Sequence, residues 1–299
     1  MEKRCMGATG MEVSVLGFGG AEIGFRAVPQ DEVTPLLNSA LDAGLNVIDT
    51  AACYADSEEK IGQAVGHRRD EFLLFTKCGH ASGLEGEDWD PDLILRSVER
   101  SLKRLKTDRV DLVMLHSCGR DILERGDATA VLQDLQRKGL TRFVGYSGDG
   151  QDAYTAVASG LFDVLETSVN IADQQVLDHV LPLAMERAMG VIAKRPIANA
   201  AWQYASERDA DPYARPYFRR LKDLDYPFLT GDVATGVDVA LRFTLSTPGV
   251  HTAIVGTTKP GRWQQNAAIA AHRPLAPEQY EAIRERWRVT AADDWVGQV

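Results

Sequence analysis

The sequence predicts an α/β protein folded as a closed (β/α)8 TIM barrel. Three features carry that prediction: eight short apolar runs, helix-period segments between them, and glycines where helices should end. Strict alternation of strand and helix requires parallel pairing through helical crossovers, since parallel neighbours cannot be joined by a tight turn.

The eight runs are Val13 to Leu16, Val47-Ile48, Phe72 to Phe75, Val110 to Leu115, Phe143-Val144, Val164-Leu165, Val191-Ile192 and Ala253 to Val255. Ahead of them, Arg4-Cys5-Met6 and Met11-Glu12-Val13 around Gly7 and Gly10 read as a small β-hairpin plugging one end of the barrel. Helix periodicity marks Val33 to Ala43, Asp92 to Leu105, Ala130 to Lys138 and Val237 to Leu245. Gly44, Gly139, Gly160 and Gly190 are each expected to close a helix in the left-handed conformation. An open doubly wound sheet is the competing architecture, because Gly17-Phe18-Gly19-Gly20 starts like a dinucleotide fingerprint turn. It fails at the third glycine position, where Glu22 stands.

The 299 residues are 44% hydrophobic, and no Ser/Gly/Pro-rich linker divides them, so residues 1–299 are expected to form one catalytic domain. A net charge of −10 disfavours nucleic acid and acidic membrane surfaces as partners. No stretch approaches the roughly 20 apolar residues of a membrane span, and Met1 to Cys5 lead into no apolar signal, so a cytoplasmic protein is expected. Cys5, Cys53, Cys78 and Cys118 form no close pair, which points to reduced thiols rather than disulfides or a zinc site. Cys53, Cys78 and Cys118 nevertheless flank residues of chemical interest, and apolar filler is the plain reading of them.

Barrel active sites lie at the C-terminal strand ends. Asp49 ends the second run with Tyr54 five residues on, Lys77 follows the third, and His116 ends the fourth. Together these groups suit carbonyl reduction. A phenol of ordinary pKa about 10 donates a proton sluggishly unless a cation stabilises its phenolate. Lys77 can be that cation, Asp49 its counter-ion, Tyr54 the general acid and His116 a second donor to the developing oxyanion. After the last strand, Thr257, Lys259 and Arg262 approach a helix start, where backbone amides and cations can hold phosphate.

The run Gly44 to Ala51 with Tyr54, Ser57-Glu58 and Gly62, then Thr76-Lys77, Leu115-His116 and Ile254 to Pro260, resembles the aldo-keto reductase family across nearly the whole chain. The resemblance implies a catalytic tetrad of Asp49, Tyr54, Lys77 and His116, with NADPH, in preference to NADH, extended over the barrel mouth. It implies cofactor contacts from Gly19, Gly20, Ser147, Glu166, Asn170, Arg195, Ile197, Gly256, Thr257, Thr258, Lys259, Arg262, Gln265 and Asn266. Arg262 matches the contact to the 2′-phosphate and Asn266 that to adenine. Several positions depart from the family pattern: Gly148 stands for asparagine, Glu166 for glutamine, Lys194 and Arg195 for a stacking aromatic, and Gly256 for lysine. An ionised Glu166 can accept from a carboxamide but cannot donate back to it.

The substrate is then a small carbonyl compound or alcohol, held by Tyr54, His116 and Trp89, with no metal. Loops at the C-terminal rim are long: Gly79 to Asp90 holds Trp89, and Trp202 to Phe228 holds Tyr204, Tyr213, Tyr217, Phe218 and Tyr226. The second of these reads equally as a binding lid or as a surface excursion with its own core. Two other functions fit the same residues: an NADPH-binding sensor that turns over slowly, and an aldolase-like barrel using Lys77 as a Schiff-base nucleophile.

Overall fold

A computed structural model describes residues 1–298. The chain opens with β1 (Lys3–Cys5) and β2 (Glu12–Ser14), an antiparallel hairpin with Arg4 opposite Val13. Eight parallel strands follow: β3 (Leu16–Gly19), β4 (Val47–Asp49), β5 (Leu73–Cys78), β6 (Val110–His116), β7 (Thr141–Ser147), β8 (Val164–Ser168), β9 (Gly190–Lys194) and β10 (Thr252–Val255). Each pairs with the next, and β10 closes on β3, so the sheet has no free edge. This is the (β/α)8 barrel that the alternation predicts.

The helices are α1 (Ala21–Phe25), α2 (Gln30–Asp42), α3 (Ser57–Val65), α4 (Pro91–Leu105), α5 (Arg120–Arg125), α6 (Asp127–Arg137), α7 (Gly150–Ser159), α8 (Val176–Glu186), α9 (Arg215–Leu224), α10 (Val233–Ser246), α11 (Pro260–Ala270) and α12 (Pro277–Thr290). Local chemistry starts them in identifiable ways. Asp90 caps α4 by accepting from the Asp92 and Leu93 amides at 2.9 and 3.2 Å, with Pro91 just inside. Asp232 caps α10 through the Thr235 amide at 2.8 Å. Among the described residues, no helix is long and apolar enough to cross a membrane, and all four cysteines are free.

Two expectations need correction. The first barrel strand is Leu16–Gly19, and Val13 belongs to the hairpin instead. The glycines of Gly17-Phe18-Gly19 disguise the strand, because glycine has little intrinsic preference for extended structure. Packing supplies the reason for Gly17, since a Cβ there would stand 2.9 Å from the Val47 side chain. Gly190 likewise does not end a helix; it begins β9, and Ala188 takes the left-handed conformation at φ 50°. A Cβ on Gly190 would meet Met6 at 2.6 Å. Gly44, Gly139 and Gly160 do adopt positive φ at helix ends.

The hairpin plugs the barrel floor. Met6, Met11 and Val13 are fully or almost fully buried and pack against Val47, Phe75, Leu112, Met114, Val164 and Ile192 inside the barrel. The long excursion forms a core of its own, in which Tyr217, Phe218, Leu221, Leu224 and Tyr226 pack on Ile171, Phe243 and Trp287. Only Tyr213 of its aromatic residues is strongly exposed.

Candidate active site

Alternation along the strands decides which polar groups reach the barrel mouth. Side chains two residues apart on a strand share a face. A step of two from the interior residues Val47, Phe75, Met114, Val164 and Ile192 lands on Asp49, Lys77, His116, Glu166 and Lys194. Five strands thus lift a titratable side chain just above the apolar floor. Ser147, at the end of β7, joins them by donating its hydroxyl to Glu166 Oε1 at 3.1 Å.

Lys77 is the hub of this layer and is wholly enclosed. Its Nζ donates to Asp49 Oδ2 at 2.5 Å and to the Thr50 carbonyl at 3.1 Å, and it lies 3.3 Å from Glu166 Oε2. Burial opposes its charge, but Asp49 and Glu166 outweigh burial and hold its pKa above the ordinary lysine value. Burial and the neighbouring Glu166 push the Asp49 carboxyl well up, against the pull of Lys77.

Tyr54 comes from the turn after β4. The Tyr54 amide donates to Ala51 O and its carbonyl accepts from the Ser57 amide, both at 3.0 Å. Ser57 then ties this turn to the first barrel strand by donating to the Gly20 carbonyl at 2.8 Å, and Glu58 accepts from Thr76 at 2.7 Å, beside Lys77. The Ser57-Glu58 pair therefore acts as an anchor. The Tyr54 ring packs edge-on between Phe25 and His116, with centroids 5.4 and 5.5 Å away, and the Lys77 ammonium lies 5.4 Å from its centre. Burial raises the phenol pKa and Lys77 pulls it back down, with burial the stronger.

His116 sits among cations. Burial, then Lys77 and Lys194, hold its pKa well below the usual histidine value, so at neutral pH it is an uncharged imidazole. Cys53 Sγ lies 3.2 Å from its Nδ1, and burial keeps that thiol protonated. A thiol donating to Nδ1 leaves the ring proton on Nε2, so a neutral His116 remains a hydrogen-bond donor.

The depressed histidine has a consequence for stability. An unfolded His116 takes up a proton near pH 6.5 while the folded one does not, so stability falls as pH drops from about 6.5 towards the folded pKa. The slope from this group is at most about 1.4 kcal/mol per pH unit. Urea unfolding between pH 7 and 5 is expected to show this decline, and His116→Asn is expected to flatten part of it; equal slopes for both proteins would remove His116 as the cause.

The remaining predicted residues fall into two groups. Beside the layer around Lys77, Asn170 is buried, accepts from the Ala172 amide at 2.8 Å and leaves its Nδ2 without a partner. Arg195, with Ile197 two residues on, begins an irregular segment in which Ala198, Asn199 and Ala200 all have positive φ. Its guanidinium is engaged by Ser168 at 2.7 Å, Tyr213 and the Gln298 carbonyl. Trp89 is half-buried against His80, with ring centroids 4.9 Å apart, and His80 lies 5.6 Å from His116.

The second group lies where β10 meets β3. Gly19 and Gly256 are so close that a Cβ on either would stand 3.2 to 3.3 Å from the backbone of the other. The Gly20 amide donates to Asp49 O at 2.8 Å. Beyond Gly256, Thr257 Oγ1 accepts from the Lys259 amide at 3.1 Å and shapes the turn into α11, with Thr258 between them. Lys259, Arg262 and Gln265 are exposed there, whereas Asn266 is buried with an unpartnered Nδ2.

Two buried amides lacking acceptors, bare backbone at Gly19 and Gly256, and cations at a helix start form a donor set suited to an anionic ligand that carries amide and heterocyclic groups. These residues therefore fit a nicotinamide dinucleotide. Asp149 was not apparent in the sequence. It follows β7, is buried, pairs with Lys194 at 2.8 Å and accepts from Thr167 and the Ser168 amide at 2.9 and 2.7 Å. The step of two along β9 to Lys194 was the available signal for this pair.

Comparison with known proteins finds similarity along nearly the whole chain. The model of the Aldo/keto reductase family matches residues 15–288. L-galactose dehydrogenase of Arabidopsis thaliana is 28% identical, covering 95% of this chain and 93% of that protein. D-threo-aldose 1-dehydrogenase of a Pseudomonas species is 30% identical, covering 88% and 91% respectively. In fold, the chain is similar to an aldo-keto reductase from Bacillus halodurans solved in its holo form, with a TM-score of 0.84 at 24% identity and coverage of 98% and 99%.

Proposed function

We infer the reaction from the fact that the chain belongs to the aldo/keto reductase family, whose members are oxidoreductases that use nicotinamide cofactors on small carbonyl substrates. On this reading, residues 1–299 act as one catalytic domain that reduces an aldehyde or ketone, or oxidises the corresponding alcohol. The arrangement that carries the inference is the enclosed Lys77, bonded to Asp49 at 2.5 Å and set 5.4 Å from the Tyr54 ring, with His116 edge-on to the same ring at 5.5 Å.

A bound nicotinamide cofactor supplies the hydride. Tyr54 gives its hydroxyl proton to the carbonyl oxygen, and Lys77 stabilises the resulting phenolate. Asp49 keeps Lys77 charged and fixed in direction. His116, neutral and protonated on Nε2, donates to the same oxygen as negative charge gathers there. Trp89 forms part of the wall against which the substrate rests.

For the cofactor, Ser147, Glu166 and Asn170 would face the carboxamide, with Arg195 and Ile197 beside the ring. Gly19, Gly20 and Gly256 would present bare backbone to the cofactor. Thr257, Thr258 and Lys259 would hold phosphate, Arg262 the 2′-phosphate, and Gln265 with Asn266 the adenine. The exposed Arg262 in the first turn of α11 supports NADPH over NADH, because a guanidinium suits a phosphate dianion. Schiff-base chemistry at Lys77 is disfavoured, since an ammonium held by two carboxylates is not a nucleophile.

The test is a panel of aldehydes, ketones and aldoses assayed with NADPH/NADP+ and NADH/NAD+ in both directions. Aldoses belong in it because two relatives are named as sugar dehydrogenases. Turnover with at least one carbonyl or alcohol and a preference for the 2′-phosphorylated cofactor are expected. Borohydride trapping of a carbonyl substrate on Lys77 would instead favour the Schiff-base reading.

A further inference from the structure

Cys53 makes a contact that apolar filling of space does not explain. Its Sγ lies 3.2 Å from Nδ1 of His116, and among the described residues no other hydrogen bond reaches either nitrogen of that ring. The turn after β4 fixes where the sulfur stands. The Ala52 amide donates to the Lys77 carbonyl at 3.1 Å and the Tyr54 amide to the Ala51 carbonyl at 3.0 Å, so the backbone is pinned on both sides of Cys53. The end of β6 that carries His116 is pinned in turn, since the Ser117 amide donates to the Ser147 carbonyl at 2.7 Å.

Nothing else in these surroundings decides how the imidazole stands. Tyr54 and His80 meet it edge-on, with centroids 5.5 and 5.6 Å away. An imidazole turned over about its Cβ–Cγ bond has nearly the same outline, so contacts of this kind accept either orientation. Turning it over exchanges Nδ1 with Cδ2 and Nε2 with Cε1. The neutral ring also has two tautomers. Of the four resulting states, one alone places an N–H where Nε2 now lies.

A thiol at Nδ1 separates these states. Burial raises the Cys53 pKa, so the group carries its proton, and an imidazole nitrogen is a better acceptor than sulfur. The bond therefore runs from the thiol to Nδ1, which a turned ring cannot offer, and the ring proton stays on Nε2. We propose that Cys53 is a positioning residue whose thiol selects the single orientation and tautomer in which His116 donates to the reacting oxygen. The inference rests on the role given to His116 above and extends it: the turn that carries Tyr54 also sets the second donor.

Three substitutions test this. Cys53→Val and Cys53→Ala remove the donor and stay apolar, whereas Cys53→Ser keeps a donor and is more polar, so positioning and filling predict opposite orders of activity. A fall in kcat of about three- to tenfold is expected in the first two, the worth of one modest hydrogen bond, with KM and cofactor Kd nearly unchanged. Cys53→Ser is expected to stay close to the native rate. Cys53→Ala carries the comparison if valine is too bulky to fold. A loss in all three variants, in serine alone or in none overturns the proposal. Spectra of 15N-histidine-labelled protein at neutral pH, without cofactor, read the same point independently of turnover, with His116→Asn identifying the resonances. Native protein and Cys53→Ser should show the proton on Nε2, and the other two variants a mixture of tautomers; a native ring protonated on Nδ1 overturns the proposal. Absence of turnover with every carbonyl and alcohol tested would instead overturn the reaction assigned above, and the spectra would still decide whether Cys53 orients His116.

Discussion

Replacing Tyr54 by phenylalanine is expected to slow turnover by about 10²-fold to 10⁴-fold, the usual worth of a positioned general acid, while leaving cofactor affinity nearly unchanged. The substitution removes one hydroxyl and leaves the ring, so its edge contacts to Phe25 and His116 and its place beside the Lys77 ammonium persist. Folding should therefore be intact, and circular dichroism with cofactor titration would verify that before kinetics are read. Because burial raises the Tyr54 pKa, the phenol stays protonated throughout the neutral range, and reduction by the native enzyme should show no loss from its ionisation below about pH 10. Near-normal turnover in Tyr54→Phe would dismiss Tyr54 as the proton donor.

The barrel was legible because its evidence is repetitive. Eight apolar runs separated by helix-period segments leave few topologies, and Gly44, Gly139 and Gly160 punctuate them at positive φ. The errors arose where a tertiary contact overrides local preference. Gly17 and Gly190 serve close packing against Val47 and Met6, contacts that lie 30 and 184 positions away along the chain. Of the candidate site, the convergence of Asp49, Lys77 and His116 could be read because each stands at or next to the end of an apolar strand, and that of Tyr54 because it keeps a fixed distance from Asp49 in the Ser57-Glu58 motif. What could not be read was partnership. That Glu166 faces Lys77, that Cys53 meets His116 and that Asp149 holds Lys194 depend on how non-neighbouring segments converge, which no local pattern encodes.

Lys77→Met is expected to cost more than any other single change in the site, in stability and in rate together. Removing the cation leaves Asp49 and Glu166, 1% and 2% exposed, facing each other without compensation. Breaking a buried pair in this way typically costs about 3 to 5 kcal/mol. The deficit should depend on pH with a definite sign. Without Lys77 to pull it down, the folded-state pKa of Asp49 rises further above its unfolded value near 3.9, so the variant is most stable in acid and loses stability as pH rises through the folded pKa. That slope opposes the one from His116, which makes the two separable in urea titrations across pH. Adding Asp49→Asn to Lys77→Met should recover part of the loss, giving a coupling energy that neither single variant reports. Turnover should remain low in the double variant, because the neutral pair restores burial but not the charge that stabilises the Tyr54 phenolate. A Lys77→Met protein as stable as the native one at neutral pH would mean that the two carboxylates are not charged there, and the ion-pair basis of the mechanism would fall with it.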